Sequence, residues 1–163
     1  MKPASFKYFA PNSLEEALSH LKEHGADAKV LAGGQSLIPT MNFRLAQPAV
    51  LIDLNKVEDL FYIEPNGSGG INMGAMTRQR QVENSELIQE KVPLIHEAMP
   101  FIAHPQIRNR GTIGGSIAHA DPAGELPALV LALQATFKLV GPVFFTFPRI
   151  PQNSLYRSWK VTS

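Results

Sequence analysis

The sequence of 163 residues contains no cysteine. Within this chain, the absence excludes a disulfide framework, a thiolate metal site and a cysteine-ligated iron–sulfur cluster. An excess of charge is also missing, because the formal net charge is only +1. Composition therefore gives no argument for binding to nucleic acid or to a membrane surface.

Long hydrophobic runs are absent as well. The longest covers residues 128–133, which is far too short to span a bilayer. Residues 1–7 lack the apolar segment that is typical of a signal peptide. We therefore expect a cytoplasmic protein with no transmembrane segment.

What the chain does have is enough apolar sequence for a hydrophobic core, since 44% of its residues are hydrophobic. Its length fits one domain or two small subdomains. The first part alternates between strand and helix patterns, which predicts a small α/β unit. Ser13 and Glu16 form a capping box before the first helix, and Gly25 occupies its expected C-cap. The predicted strands cover residues 6–9, 29–32 and 49–54, and the predicted helices cover about 13–24 and 37–44.

A second unit begins near residue 60. Two apolar runs flank a turn and predict a β-hairpin over residues 61–75. Thr77 is predicted to cap the helix that follows. The remaining predicted elements are helices over residues 79–84, 94–101 and 123–133 and a strand over residues 135–140. The predicted division is therefore residues 1–57, residues 58–142 and an atypical tail over residues 143–163.

The first glycine pair, Gly33-Gly34, follows a predicted strand and precedes a possible helix start. Consecutive backbone N–H groups in such a loop can form a concave anion site, with Gln35 and Ser36 as side-chain donors. An ordinary tight turn is the alternative. Neither glycine pair in the chain fits the dinucleotide fingerprint or the P-loop motif.

The second pair, Gly114-Gly115, lies between two arginines and a cluster of polar residues. Asp121 could accept hydrogen bonds from ribose or ribityl hydroxyls, or it could cap the next helix. His119 could donate to a phosphate or a flavin-like ring, or it could be a packed histidine whose hydrogen bonds are satisfied within the protein. Arg108 and Arg110 could equally be solvated. Two such loops together suggest a ligand with a charged phosphate bridge, gripped from two sides.

Other chemistry finds little support in the sequence. The spacings of His96, His104 and His119 fit no helical pair of metal ligands, so we predict no metal site. Ser36 and Ser116 lack the G-x-S-x-G context of a nucleophile. We therefore predict no catalytic side chain in this chain.

Three segments together resemble the FAD-binding medium subunit of the molybdenum hydroxylases. They are residues 32–39, with the pattern AGGQSLIP, residues 74–77, with GAMT, and residues 112–123, with TIGGSIAHADPA. The nearest type is the medium subunit of aerobic carbon monoxide dehydrogenase, in the xanthine dehydrogenase family. The resemblance covers about residues 1–142.

This resemblance implies an FAD-binding domain of two α/β subdomains, of the vanillyl-alcohol oxidase type, with FAD between them. Residues 32–36 and 114–116 would hold the pyrophosphate, Thr112 and residues 75–77 would lie beside the cofactor, and Asp121 would bind its hydroxyls. The cofactor-binding residues implied are Ala32, Gly33, Gly34, Gln35, Ser36, Ala75, Thr77, Thr112, Gly114, Gly115, Ser116 and Asp121.

The resemblance also implies partners. The family works as a heterotrimer, possibly paired into a dimer of heterotrimers. Its small subunit carries two [2Fe–2S] clusters, and its large subunit binds the molybdopterin cofactor and oxidises the substrate. FAD on the medium subunit would take electrons from the clusters and pass them to an external acceptor. The sequence does not identify the substrate of the complex or the electron acceptor.

Two other functions are compatible with the sequence. The chain could be a non-catalytic remnant or assembly module that does not retain flavin, or a stand-alone flavoprotein oxidase, for which it has no substrate domain. The family continues well beyond residue 142, whereas residues 143–163 are rich in aromatics and contain no acid. We therefore expect a frameshifted or truncated product, or a lineage-specific tail, with weakened flavin retention and poor solubility.

Overall fold

The computed structural model describes residues 1–141. Its first sheet contains three parallel strands in the order β1-β3-β2. The strands are β1 (Lys7–Phe9), β2 (Ala28–Leu31) and β3 (Val50–Asp53). The first three residues of β3 are at most 4% exposed. An apolar central strand of this kind is expected where both faces of a parallel sheet are covered.

Two helices accompany this sheet, α1 (Leu14–His24) and α2 (Leu37–Asn42). The predicted cap of α1 is confirmed, because Ser13 Oγ accepts a hydrogen bond from the Glu16 amide at 3.1 Å. The Glu16 carboxylate accepts from the amide of Asn12 at 2.8 Å, one residue before the expected partner. Gly25 follows the helix with a φ of +52°. Ala17 on α1 packs against Ala28, Val50 and Ile52 in a small core cluster.

The predicted hairpin is confirmed as β4 (Ile63–Pro65) paired antiparallel with β5 (Ile71–Met73). Its turn depends on Asn66, whose side-chain oxygen accepts from the amides of Ser68 at 3.0 Å and Gly70 at 2.8 Å. An asparagine that bonds amides further along the turn in this way closes the loop without a long connection.

Six further helices follow the hairpin: α3 (Gln79–Glu83), α4 (Glu86–Lys91), α5 (Pro93–Ala98), α6 (Pro105–Arg110), α7 (Ile113–His119) and α8 (Glu125–Ala132). The sequence predicts only α3, α5 and α8. Pro105 begins α6, where a proline at the first position costs no hydrogen bond. The helices enclose a second core cluster: Ile71, Val82, Ile88, Ile95, Met99, Ile102, Ile113 and Leu126.

Two predictions in this part are wrong. Thr77 does not cap α3, because its hydroxyl is buried and donates to the Tyr62 carbonyl at 2.8 Å, and Arg78 takes the cap position. Residues 135–140 form no strand, since no partner strand lies beside them among the described residues. A short apolar run becomes a strand only when a neighbour supplies the ladder hydrogen bonds.

The atypical tail predicted over residues 143–163 lies outside the described residues. Within residues 1–141, no helix is both long and apolar enough to cross a membrane.

A buried ion pair ties α6 to α3. Arg108 is 4% exposed, and its guanidinium donates to both carboxylate oxygens of Glu83, at 2.9 and 3.0 Å. A third nitrogen of the same group donates to the carbonyls of Ile102 at 2.9 Å and Ala103 at 3.2 Å. The Arg108 hydrogen bonds are the main cause that lowers the pKa of Glu83, whose second cationic partner is Arg80.

We expect Arg108→Met to destabilise the fold by about 3 kcal/mol, because it leaves a largely buried carboxylate and several carbonyls without their partner. The matched control is Arg80→Met, which removes an exposed cation from the same carboxylate and should cost less than about 1 kcal/mol. Urea denaturation of the three proteins measures the difference. Equal losses for the two variants would contradict a structural role specific to Arg108.

The same pair predicts a pH dependence of stability. The pKa of Glu83 is lowered in the folded protein, so its ionised carboxylate stabilises the fold. This contribution to the free energy of unfolding is fully present above the ordinary glutamate pKa of 4.5 and is lost as the pH falls through the folded pKa. Glu83→Gln removes this contribution. The stability difference between wild type and Glu83→Gln should therefore shrink from pH 7 towards acid. A difference that stays constant over this range would refute the linkage.

Candidate cofactor site

The first glycine segment and the chain just before the third segment meet at backbone distance. A Cβ placed on Gly33 would lie 2.5 Å from the Arg110 carbonyl oxygen and 2.9 Å from the Cα of Gly111. Contacts this short leave no room for any side chain. Glycine at position 33 is therefore needed for one chain segment to lie directly against another, a requirement additional to the predicted approach of a ligand.

The second glycine pair makes the same kind of contact with the other two segments. A Cβ on Gly114 would lie 2.7 Å from the Cβ of Ala75, and a Cβ on Gly115 would lie 3.2 Å from the Cβ of Ala32. The structure thus brings together the segments around residues 32, 75 and 114, which the sequence places far apart. Their mutual packing depends on the absence of side chains.

The first glycine segment presents free hydrogen-bond donors. Gly34 adopts a φ of +75°, which turns the chain between β2 and α2. The backbone N–H groups of Gly33, Gly34, Gln35 and Ser36 donate to no acceptor within residues 1–141. The Gln35 side chain donates to the Gly33 carbonyl at 3.2 Å. A run of unpaired amides in a glycine turn is a site that an anion fits.

A cavity of about 300 Å³ is lined by three of these residues, Gly33, Gly34 and Gln35. Arg110 is an exposed residue that also lines the cavity, which places a cationic residue beside the glycine turn. The residues that line it are Leu31, Ala32, Gly33, Gly34, Gln35, Ile38, Pro39, Asn42 and Arg110.

The second glycine segment is not a loop, as the sequence suggested, but the first turn of helix α7. Thr112 caps it by accepting from the Gly115 amide at 3.1 Å. The amides of Ile113 and Gly114 donate to the carbonyls of Thr77 and Ala75, at 3.0 and 2.9 Å. These N–H groups are therefore already paired within the protein, unlike those of residues 33–36.

The other predicted site residues differ in their exposure and in whether their polar groups already have hydrogen-bond partners in the protein. Thr77 and Thr112 are at most 2% exposed, and the hydroxyls of both have protein partners. Ser116 is half-buried on α7. Asp121 is exposed beyond the end of α7, and one of its carboxylate oxygens accepts from the Ala123 amide at 2.9 Å. It does not cap α8, whose N-cap is Gly124.

A polar network with no recognisable signal in the sequence supports the first glycine segment at the Ala32 carbonyl. Asn55 donates through its side-chain amide to the Ala32 carbonyl at 3.0 Å and to Asp53. Its side-chain oxygen accepts from Arg78 at 2.5 Å, and Arg78 also donates to the Arg110 carbonyl at 2.5 Å. The carbonyls on both sides of the Gly33 contact are thus held by one chain of hydrogen bonds.

The charged group in this network, the Arg78 guanidinium, is partly buried. Burial, followed by the nearby Arg110 charge, lowers the pKa of Arg78, and the guanidinium also lies 5.5 Å from the centre of the Phe61 ring. At the other end of the network, the Tyr8 hydroxyl donates to Asp53 at 2.5 Å. This hydrogen bond is the main cause that raises the pKa of Tyr8. Arg78 holds the site together, whereas Arg110 is exposed at the cavity.

Comparison with known proteins agrees with this geometry. Residues 4–143 match the family model described as the FAD binding domain in molybdopterin dehydrogenase. The chain is 51% identical to the 6-hydroxypseudooxynicotine dehydrogenase complex subunit alpha of Paenarthrobacter nicotinovorans, over 83% of this chain and 45% of that protein. It is 49% identical to the carbon monoxide dehydrogenase medium chain of Hydrogenophaga pseudoflava, over 87% of this chain and 49% of that one.

The fold agrees as well. A solved structure of carbon monoxide dehydrogenase from Hydrogenophaga pseudoflava, which lacks the Mo-pyranopterin moiety of the molybdenum cofactor, matches with a TM-score of 0.85 at 48% identity. The match covers 87% of this chain and 49% of that one. The chain thus spans about half the length of the relatives it matches. The resemblance seen in the sequence is confirmed, and so is the α/β FAD-binding fold: the chain belongs to the family of FAD-binding domains of the molybdopterin dehydrogenases.

Proposed function

We propose that this chain binds FAD as the electron-transfer module of a molybdenum hydroxylase, in the position of the medium subunit. The observation that carries the proposal is the run of backbone amides at residues 33–36 that have no acceptor within residues 1–141. Three of these residues, Gly33, Gly34 and Gln35, line a cavity that Arg110 also lines. An FAD pyrophosphate is an anion of the size and charge that such a turn accommodates.

The pyrophosphate is placed against residues 32–36, with Arg110 as the cation. Residues 114–116, which pack against Ala75 and Ala32, are assigned to the other side of the cofactor, where Ser116 would offer a hydroxyl in place of the backbone amides that α7 already uses. The free carboxylate oxygen of Asp121 is the acceptor for cofactor hydroxyls. Ala75, Thr77 and Thr112 hold the two glycine segments in contact.

The chemistry in this proposal comes from the cofactor. A bound flavin supplies one- and two-electron redox capacity, and the protein binds and orients it. No side chain of this chain needs to act as an acid or a base.

The proposed partners are an iron–sulfur subunit that delivers electrons and a molybdopterin-binding subunit that oxidises the substrate. Support comes from the relatives, one of which is named a medium chain and another a subunit of a dehydrogenase complex. The proposed assembly is a heterotrimer. A module that does not retain flavin is the alternative, and flavin binding separates the two.

We also propose that residues 1–57 and 58–142 are separate subdomains that close on the cofactor from two sides. Two core clusters support this division. The first contains residues from α1 and the parallel sheet, and the second contains residues from the hairpin and the helices that follow. The contact at Gly33 lies between them.

We expect Gly115→Ala to raise the dissociation constant for FAD about tenfold, because the added methyl group would lie 2.6 Å from Thr112 Oγ1 and push the glycine segments apart. Gly67→Ala is the matched control, since a Cβ at this hairpin position meets nothing within 4 Å. Titration of the flavin-free chain with FAD, followed by flavin fluorescence, measures both.

A wild-type chain that is folded by circular dichroism but binds no FAD would contradict the proposed function. It would favour the assembly module instead. Equal affinities for Gly115→Ala and wild type would contradict the placement of the cofactor at these segments.

A second test addresses the charge at the cavity. Arg110→Gln should weaken FAD binding about tenfold and reduce its dependence on salt, because the variant lacks the cation assigned to the pyrophosphate. Arg80→Gln makes the same charge change on an exposed helix surface away from the cavity and should leave the affinity unchanged. Parallel salt profiles for Arg110→Gln and wild type would refute a direct role for Arg110.

A further inference from the structure

A cluster of metal-ligating side chains lies away from the candidate cofactor site, at the end of helix α1. One ligand atom from each of His20, Glu23 and His24 lies within 4.8 Å of the other two. The spacing of i, i+3 and i+4 places all three side chains on the same face of the helix. Two imidazoles and one carboxylate form the donor set that zinc accepts in proteins.

Both histidines have nitrogen atoms without a partner. Nδ1 of His20 and Nε2 of His24 are enclosed and make no hydrogen bond with any group of residues 1–141. A buried polar atom without a partner costs free energy unless something else satisfies it. A cation beside His24 would supply that partner, because Glu23 Oε1 lies 3.9 Å from the same nitrogen.

The rings are already held in place. Phe9 on β1 stacks on the ring of His20, with centroids 4.2 Å apart, and on the ring of His24 at 5.2 Å. The two imidazole planes differ by only 6°. Ligands fixed by packing lose little conformational entropy when a metal binds.

The Glu23–His24 distance is close to that of a metal site, and a His20 nitrogen lies within 4.8 Å of both ligand atoms. Tetrahedral zinc with bonds of about 2.1 Å separates its ligand atoms by about 3.4 Å. The Glu23 oxygen and the His24 nitrogen are about 0.5 Å further apart than this, and Glu23 has an exposed side chain that can move inward. The last turn of a helix also favours a cation, because its carbonyl groups carry partial negative charge.

We propose that His20, Glu23 and His24 bind one divalent cation of the zinc class, with water completing the coordination. The bound ion would link side chains from the last turns of α1 beside the Phe9 ring of β1.

Calorimetric titration of the chelator-treated full chain with zinc chloride at neutral pH tests the proposal. We expect saturable binding of one zinc ion per chain. His20→Gln and His24→Gln should each weaken it by at least about tenfold, and Glu23→Gln should weaken it less. His96→Gln is the matched control, because His96 also has an enclosed, unpartnered Nδ1 but belongs to no such cluster within residues 1–141.

Binding that is absent, or that survives unchanged in the His20→Gln/His24→Gln double variant, would show that these histidines only pack against Phe9. Either result overturns the proposal. Electron paramagnetic resonance of the wild-type chain with one equivalent of Cu²⁺ gives an answer that does not rely on variants. Hyperfine splitting from two imidazole nitrogens supports the site, and a signal from oxygen ligands alone refutes it.

Discussion

Close packing of backbone against backbone is the constraint on which the candidate cofactor site depends. Gly33 touches the carbonyl of Arg110, and the two glycines at the start of α7 lie against Ala75 and Ala32. Because these contacts leave no space for side chains, the glycines determine how near the segments come to one another. The cavity and its free amides exist only while that spacing is kept.

Hydrogen bonds preserve the spacing that the glycines permit. Asn55 and Arg78 hold the carbonyls of Ala32 and Arg110, which flank the contact at Gly33. The amides of α7 are meanwhile used by Thr77, Ala75 and Thr112. The two similar sequence motifs therefore differ in their backbone amides. Those of residues 33–36 have no acceptor within residues 1–141, whereas those at the start of α7 bond to neighbouring segments and hold them in position.

Local signals in the sequence predicted much of the first unit. The Ser13 cap, the glycine after α1 and the apolar run of β3 each act over a few neighbouring residues, and all three are found. Helix α7 could not be predicted in the same way, because a glycine pair lowers helix propensity by about 1 kcal/mol per residue and reads as a loop. What stabilises α7 is its contact with Thr77 and Ala75, residues far away in sequence.

The network around Asn55 escaped prediction for a related reason. Asn55 and Arg78 are separated by 23 positions, and neither stands in a recognisable motif. The family resemblance, by contrast, was visible because its three segments are short and continuous. The sequence therefore identified which segments meet but not which residues hold them together.

The strand order of the first sheet has a consequence for how the chain can fold. In the part of the chain that the structure describes, β1 and β2 each pair only with β3, which comes last of the three in the sequence. Neither can acquire a ladder until residues 50–53 have been synthesised, so their edges wait unpaired during translation. The hairpin β4–β5 needs no such delay, because its strands are joined by a short turn. Helix α1 shares this dependence on the last strand, because Ala17 packs in one cluster with Val50 and Ile52 of β3.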